Sequence, residues 1–248
     1  MIGIILAGGY GTRLYPLTKD VAKPLLEIRG RSIIDYIVEK LVELNLEKIL
    51  VTVNERFKDQ FVRWLGDRDY LGVELRVEPS REEVEKLGAI RGLSRLLGEI
   101  KDDCVVVAGD NLFTSSLMGF KEFYLKKRAA VVGLYDIGDL DMVRRLSMAE
   151  IDQEWRIIKF IEKPENPTST LVGTGVYMLP ERSLKRVNEY LEEGNNPDSP
   201  GFFIQWLHSR EPVYGYMLKG HWWDIGTLEA YYEAKRFLEG AGNASKQA

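Results

Sequence analysis

Residues 4–26 read IILAGGYGTRLYPLTKDVAKPLL: an apolar strand that breaks off into glycines. Gly8, Gly9, Gly11 and Thr12 crowd together, Arg13 follows at once, and Lys23 stands beside Pro24. The run GIILA (3–7) has the continuous apolar character of a strand covered on both faces. A glycine-rich turn leaving the first strand of a parallel sheet lies where such sheets bind ligands, at the carboxyl ends of the strands. Bare backbone there lets N–H groups converge on one concavity, and phosphate oxygens accept from such nests.

The rhythm that follows supports a parallel sheet. SIIDYIVEKLVEL (32–44) is a helix, with Ser32 and Asp35 in a capping-box pattern and Ile33, Ile37, Leu41 and Leu44 on one face. KILVTV (48–53) is the next strand, and Phe57, Phe61 and Leu65 make a helical stripe. VELRV (73–77) is a third strand, followed by a helix carrying Ile90, Leu93 and Leu97, and CVVVAGD (104–110) is a fourth, fully buried strand. Alternation at this spacing implies βαβ crossovers. After AAVVGLYD (129–136) the pattern changes. SMAEIDQEWRIIKFIEKP (147–164) reads as a hairpin turning at DQEWR. Then come a strand at 173–179, helices over 181–192 and 201–207, a strand at 213–218 and a final helix at 227–238. The small, polar residues 241–248 read as a flexible tail. There is no internal repeat.

The chain has 248 residues, 45% hydrophobic and 29% charged, a soluble globular balance. No apolar run approaches the ~20 residues that span a bilayer. The opening MIGIILAGG lacks a basic segment and reads as a strand, not a signal peptide. Cys104 is the single cysteine, which leaves no internal disulfide framework and fits a reducing cytoplasm. Net charge is −4 with the cations dispersed, against nucleic acid as a partner. The richness in Glu, Lys and Arg faintly suggests a heat-adapted source. Nothing in the sequence argues against a homo-oligomer.

Neither familiar glycine fingerprint fits the first loop. A dinucleotide motif starting at Gly9 needs glycine where Leu14 stands, and the Gly-Lys-Ser/Thr of a P-loop is missing. The loop instead carries its own cations: Arg13, a planar fork for two phosphate oxygens, and Lys23, a point charge. Together they favour a triphosphate or pyrophosphate site over a plain tight turn. His208 and His221 sit in no nucleophile or zinc pattern and read as incidental.

LAGGYGTRLYPLT with KPLL resembles the signature of the sugar-1-phosphate nucleotidyltransferases, the thymidylyl-, uridylyl-, guanylyl- and adenylyltransferases that make nucleotide sugars. The resemblance continues in order through LGAI (87–90), GDN (109–111), FIEKP (160–164), GTGVY (173–177) and WWDIGT (222–227). It implies a Rossmann-like three-layer α/β sandwich with a mainly parallel central sheet and a smaller β-rich sugar-binding part. It further implies one domain over 1–240, with a nucleotide-binding half at 1–135 and a sugar-binding half at 136–240. The implied reaction is in-line attack of a sugar 1-phosphate oxygen on the α-phosphorus of a nucleoside triphosphate, releasing pyrophosphate. The expected pair is dTTP or UTP with glucose 1-phosphate. The resemblance places the nucleotide on Leu6, Ala7, Gly8, Gly9, Gly11, Thr12, Arg13, Gly88 and Asp110, and catalytic cations at Arg13, Lys23 and Lys163. It places the sugar on Glu162, Lys163 and Gly175, and a magnesium ion on Asp110 and Asp224. Read alone, Asp110 could instead be a helix N-cap, Asp224 a turn residue, Glu162-Lys163 an exposed pair, and Trp222 and Trp223 either pocket wall or core.

Base recognition departs from the family pattern. Relatives read the base near LGTA, where this chain has EPSREEVEKLGAI, with Ala89 for the usual threonine. Thymidylyl relatives often have glutamine near the position of Glu78. A glutamate there accepts but does not donate, which suits a donor-rich edge such as guanine's. DSPGFFIQWL also differs from the corresponding segment of many relatives, which leaves the sugar open. Two other readings stay in play: a cytidylyltransferase for a small phosphorylated alcohol, which FIEKP and WWDIGT oppose, and a non-catalytic nucleotide-sugar sensor, which the full set of cations and aspartates opposes.

Overall fold

The computed structural model describes residues 1–244. Its strands are β1 (Ile2–Leu6), β2 (Glu27–Ile28), β3 (Arg31–Ser32), β4 (Ile49–Asn54), β5 (Val73–Glu78), β6 (Cys104–Ala108) and β7 (Asn111–Phe113), then β8 (Ala130–Asp136), β9 (Ser147–Ile151), β10 (Ile157–Glu162), β11 (Leu171–Leu179), β12 (Val213–Met217) and β13 (Trp222–Asp224). The helices are α1 (Ile33–Val42), α2 (Lys58–Gly66), α3 (Ala89–Leu96), α4 (Met118–Lys127), α5 (Leu140–Val143), α6 (Glu181–Glu192), α7 (Pro200–Leu207) and α8 (Leu228–Ala244). The last helix runs past the expected end at 238 and takes in the first residues of the expected tail; 245–248 lie outside the described residues.

The central sheet is mainly parallel, in the order β10-β9-β11-β6-β1-β4-β5, with β8 on β11 and β12 on β8. β1 lies between β4 and β6 and is parallel to both. The chain therefore steps outward from β1 to β4 and β5, then returns to the other flank of β1 as β6. Strand order reverses at β1, and the loops leaving β1 and β6 open into one crevice. The β-rich second half is a continuation of this sheet: β11 pairs antiparallel with β6, β8 and β9. The expected hairpin is present, β9 against β10.

The apolar strands bury both faces because helices cover both. Ile5, Val51, Val105 and Val107 pack toward the cluster holding Ile37, Leu41 and Phe61; Ile4, Leu50 and Val106 pack toward Ile90, Leu93, Leu184 and Val187. Full burial of one such side chain stabilises by roughly 1.5–3 kcal/mol. The Ser32–Asp35 cap forms as expected, with Ser32 N–H donating to Asp35 Oδ2 at 2.9 Å. Asp35 also does something the cap pattern does not announce. Buried, it accepts from Trp64 Nε1 at 2.8 Å, Tyr70 Oη at 3.0 Å and Arg68 Nη2 at 3.0 Å, which ties α1 to α2 and to the start of β5. No helix among the described residues is long and apolar enough to cross a membrane.

Candidate functional site

The glycine loop is held from beneath. Ala7 N–H donates to Thr52 O at 3.0 Å, and Leu14 N–H and Thr18 Oγ1 both donate to Gly11 O, at 2.9 and 2.7 Å. Gly11 adopts φ +65°, in the left-handed region, and a Cβ there would also meet Lys23 Cβ at 3.1 Å. Sequence near-neighbours thus need glycine for different reasons: Gly11 for its φ and for Lys23, whereas Gly9 meets nothing within 4 Å and is open. Gly109 N–H donates to Leu6 O at 2.9 Å, which fastens the corner after β6 to the end of β1.

That corner delivers Asp110. No helix follows it; β7 does, so the residue is not an N-cap. β7 pairs with β13 in the register Asn111↔Asp224, so Asp224 ends a strand instead of occupying a turn. Ile225 N–H donates to Asp110 O at 2.9 Å, closing the junction. Two carboxylates distant in sequence thereby face one another. Lys23 Nζ donates to Asp110 Oδ2 at 2.6 Å, and a Cβ on Gly226 would lie 3.4 Å from Asp224 Oδ2 and 3.5 Å from Arg13 Nη2. Burial, then the charge of Asp110, pushes the Asp224 carboxyl up to about 6, against the opposing pull of Lys23 and Arg13. Two cations and two carboxylates share one corner.

A hard divalent cation fits this corner. Among the described residues no cluster of three or more His, Cys, Asp or Glu forms a cage. Magnesium does not need one: it is commonly held by one or two carboxylates, with water and substrate phosphates completing its shell. The upward push on Asp224 marks uncompensated negative charge of the sort a divalent ion relieves.

Across the cleft, Glu162 ends β10 and is buried. Ser147 Oγ donates to its Oε2, and its N–H donates to Gln205 Oε1 of α7 at 2.8 Å. Lys163 takes φ +52°, a left-handed conformation a lysine seldom adopts, with its N–H on Leu146 O at 2.7 Å. This twist breaks strand alternation, and Glu162 and Lys163 both line the cleft. Gly175 sits at φ +74°, and a Cβ on it would come within 2.6 Å of Asn111 Nδ2. Asn111 is in turn held by Trp222 Nε1, which donates to its Oδ1 at 2.5 Å. Trp222 is buried and lines the cleft, whereas Trp223 packs away from it, on His221 and Phe237.

The cleft has a volume of about 400 Å³. Every residue singled out from the sequence as a site residue lines it: Leu6, Ala7, Gly8, Gly9, Gly11, Thr12, Arg13, Lys23, Gly88, Asp110, Glu162, Lys163, Gly175 and Asp224. His208 and His221 do not. Lining residues that sequence reading did not place in the site include Thr52, Glu78, Arg145, Ser147, Tyr177 and Asp198. Ser147 could have been found as the cross-strand partner of Glu162 once the hairpin was recognised; Arg145 and Asp198 carry no local signal.

Residues 2–240 match the profile of the family described as Nucleotidyl transferase. Over 177 residues the chain is 33% identical to the UTP–glucose-1-phosphate uridylyltransferase AglF of Haloferax volcanii, covering 71% of each protein. It is 28% identical over 271 residues to the glucose-1-phosphate adenylyltransferase of Rhodopirellula baltica; 96% of this chain takes part, but it spans only 60% of that enzyme's length. Among solved structures, a Bacillus anthracis protein described as a glucose-1-phosphate thymidylyltransferase superposes with a TM-score of 0.84 at 26% identity, covering 96% of this chain and 95% of that one.

Proposed function

The chain belongs to the nucleotidyl transferase family, and we propose that it transfers a nucleotidyl group from a nucleoside triphosphate to a sugar 1-phosphate, with dTTP or UTP and glucose 1-phosphate as the favoured pair. The observation that supports this most is the convergence of Arg13, Lys23, Asp110 and Asp224 between a bare glycine loop and the Glu162-Lys163 pair. A site for two polyanions needs that distribution: cations where phosphates meet, and a hydroxyl acceptor beyond them.

In this reading a phosphate oxygen of the sugar attacks the α-phosphorus, a P–O bond forms, and the opposite P–O bond breaks to release pyrophosphate. The attacking oxygen is already ionised at neutral pH, so no base is required. Catalysis is positioning and charge stabilisation. The glycine loop's N–H groups and Arg13 receive the triphosphate, with Arg13 on the leaving pyrophosphate. Lys23, oriented by Asp110, sits by the reacting phosphate. Lys163 holds the attacking phosphate, and Glu162 accepts from sugar hydroxyls. Asp110 and Asp224 would hold magnesium, whose contribution when bound is to neutralise charge on the phosphate oxygens.

Pyrophosphate release measured over a grid of nucleoside triphosphates and sugar 1-phosphates tests the proposal. At least one pair should turn over, and Arg13→Ala should lower kcat by roughly 10²-fold or more, the effect of losing a transition-state donor. Release from no pair, or an Arg13→Ala enzyme with near-normal kcat, would refute it.

A further inference from the structure

Glu78 ends β5, at one edge of the parallel strands, while Glu162 lies beyond β1 and β6 on the other side of the glycine loop. A nucleotide whose phosphates rest on that loop can reach Glu78 with its base and leave the Glu162 end for the second substrate. The carboxyl of Glu78 occupies a space that two glycines make. A Cβ on Gly8 would stand 2.7 Å from its Oε2, and one on Gly92 of α3 would stand 2.4 Å from its Oε1. The side chain is 7% exposed and lines the cleft. Among the described residues no donor reaches it in good hydrogen-bond geometry. Thr52 Oγ1, near enough to bias it, is itself buried without a partner. Two buried polar groups left open in a cleft wall are groups that a ligand completes.

We propose that Glu78 reads the base as a neutral carboxyl, offering one acceptor and one donor to the imide edge of uracil or thymine. This rests on the nucleotidyl-transfer reading only in that a nucleoside triphosphate enters the cleft. It also reverses the expectation from sequence, where an accepting carboxylate pointed to guanine. The ionised form suits guanine's two adjacent donors and repels the carbonyls that flank a uracil N–H. Burial pushes the carboxyl up, and Thr52 and Arg95 offset this only in part. Other groups facing it do not supply a paired cation. Tyr10 of the glycine loop donates its hydroxyl to Ser80 at 3.2 Å, Arg95 is an exposed residue of α3, and Glu83 and Lys86 stand elsewhere in the cleft lining with opposite charges.

The test is calorimetric binding of UTP and of GTP to the full chain without sugar phosphate, from about pH 5 to about pH 9. Taking the UTP-to-GTP affinity ratio cancels titration of the triphosphates themselves. For the unaltered chain the ratio should favour UTP at low pH and fall by up to about tenfold per pH unit once Glu78 ionises. Glu78→Gln keeps a donor and an acceptor, so its ratio should favour UTP at every pH. A ratio independent of pH in the unaltered chain, or one unchanged by Glu78→Gln, would overturn the proposal. Nucleotide binding with this pH behaviour but no turnover would sink the transferase reading and leave the role of Glu78 standing. Turnover with a ratio insensitive to Glu78→Gln would do the reverse.

Discussion

Replacing Lys23 with methionine keeps most of the side-chain volume and removes only the charge that holds Asp110. The Lys23 side chain is 9% exposed and that of Asp110 29%, and they meet at 2.6 Å. Such a charge-assisted hydrogen bond contributes about 1.5–3 kcal/mol. Its loss also leaves Asp110 beside Asp224 with one cation fewer, so the cost belongs at the upper part of that range. For a chain of this size each kcal/mol shifts Tm by about 2–4 °C, which puts the fall at roughly 3–12 °C. Circular-dichroism melts in the presence of a chelator measure it. Adding Asp110→Asn to Lys23→Met should recover part of the loss, because no carboxylate is then left without its partner. Kinetically, Lys23→Met should lower kcat by about 10²-fold in pyrophosphate release. A Tm within about 1 °C of the unaltered chain, or a double variant less stable than Lys23→Met, would refute the view of Lys23 as the counter-charge of this corner.

Asp110→Asn and Asp224→Asn should each depress kcat severely and raise the magnesium needed for half activity. The double variant should be little worse than the poorer single one, since ligands of one ion act as a unit; strictly additive losses in the same assay would speak against a shared ion. Glu162→Gln should raise KM for the sugar phosphate and relax hydroxyl discrimination, whereas Lys163→Ala should harm both KM and kcat; kinetics across several sugar 1-phosphates separate the two. Burial acts to raise the Asp35 carboxyl, but hydrogen bonds from Arg68, Trp64, Ser32 and Tyr70 outweigh it and hold the group below its usual range. Its contribution to stability is therefore present above the unfolded value of about 4 and lost as pH falls through the lower folded value. Melts against pH should show this decline, and Asp35→Asn should be less stable at neutral pH and lack that part of it.

What was legible in the sequence was local. Apolar runs marked β1, β4 and β6, the Ser32/Asp35 spacing marked the start of α1, and Gly8 to Thr12 marked the loop, because each depends on residues close in the chain. The β7–β13 ladder was not legible. Three-residue strands carry no periodicity, and their partners lie in distant parts of the sequence. The left-handed turn at Lys163 was equally silent, since only glycine, and to a lesser degree asparagine, announces that conformation. Glu78 shows a different limit: its identity was plain, but the burial that sets its chemistry is a property of Gly8, Gly92 and Thr52 together.

The ladder between β7 and β13 has a consequence for the order in which the protein becomes competent. Synthesis proceeds from Met1, so the parallel strands, the glycine loop and Asp110 leave the ribosome well before Trp222–Asp224 exist. Early segments can begin to fold as they emerge, but pairings of high sequence separation come last. A nascent chain, or a proteolytic fragment ending before Trp222, carries Arg13, Lys23 and one carboxylate of the pair, and presents a cleft able to attract anions without the second carboxylate. The corner is finished only when β13 docks on β7, so activity is a property of the nearly completed chain.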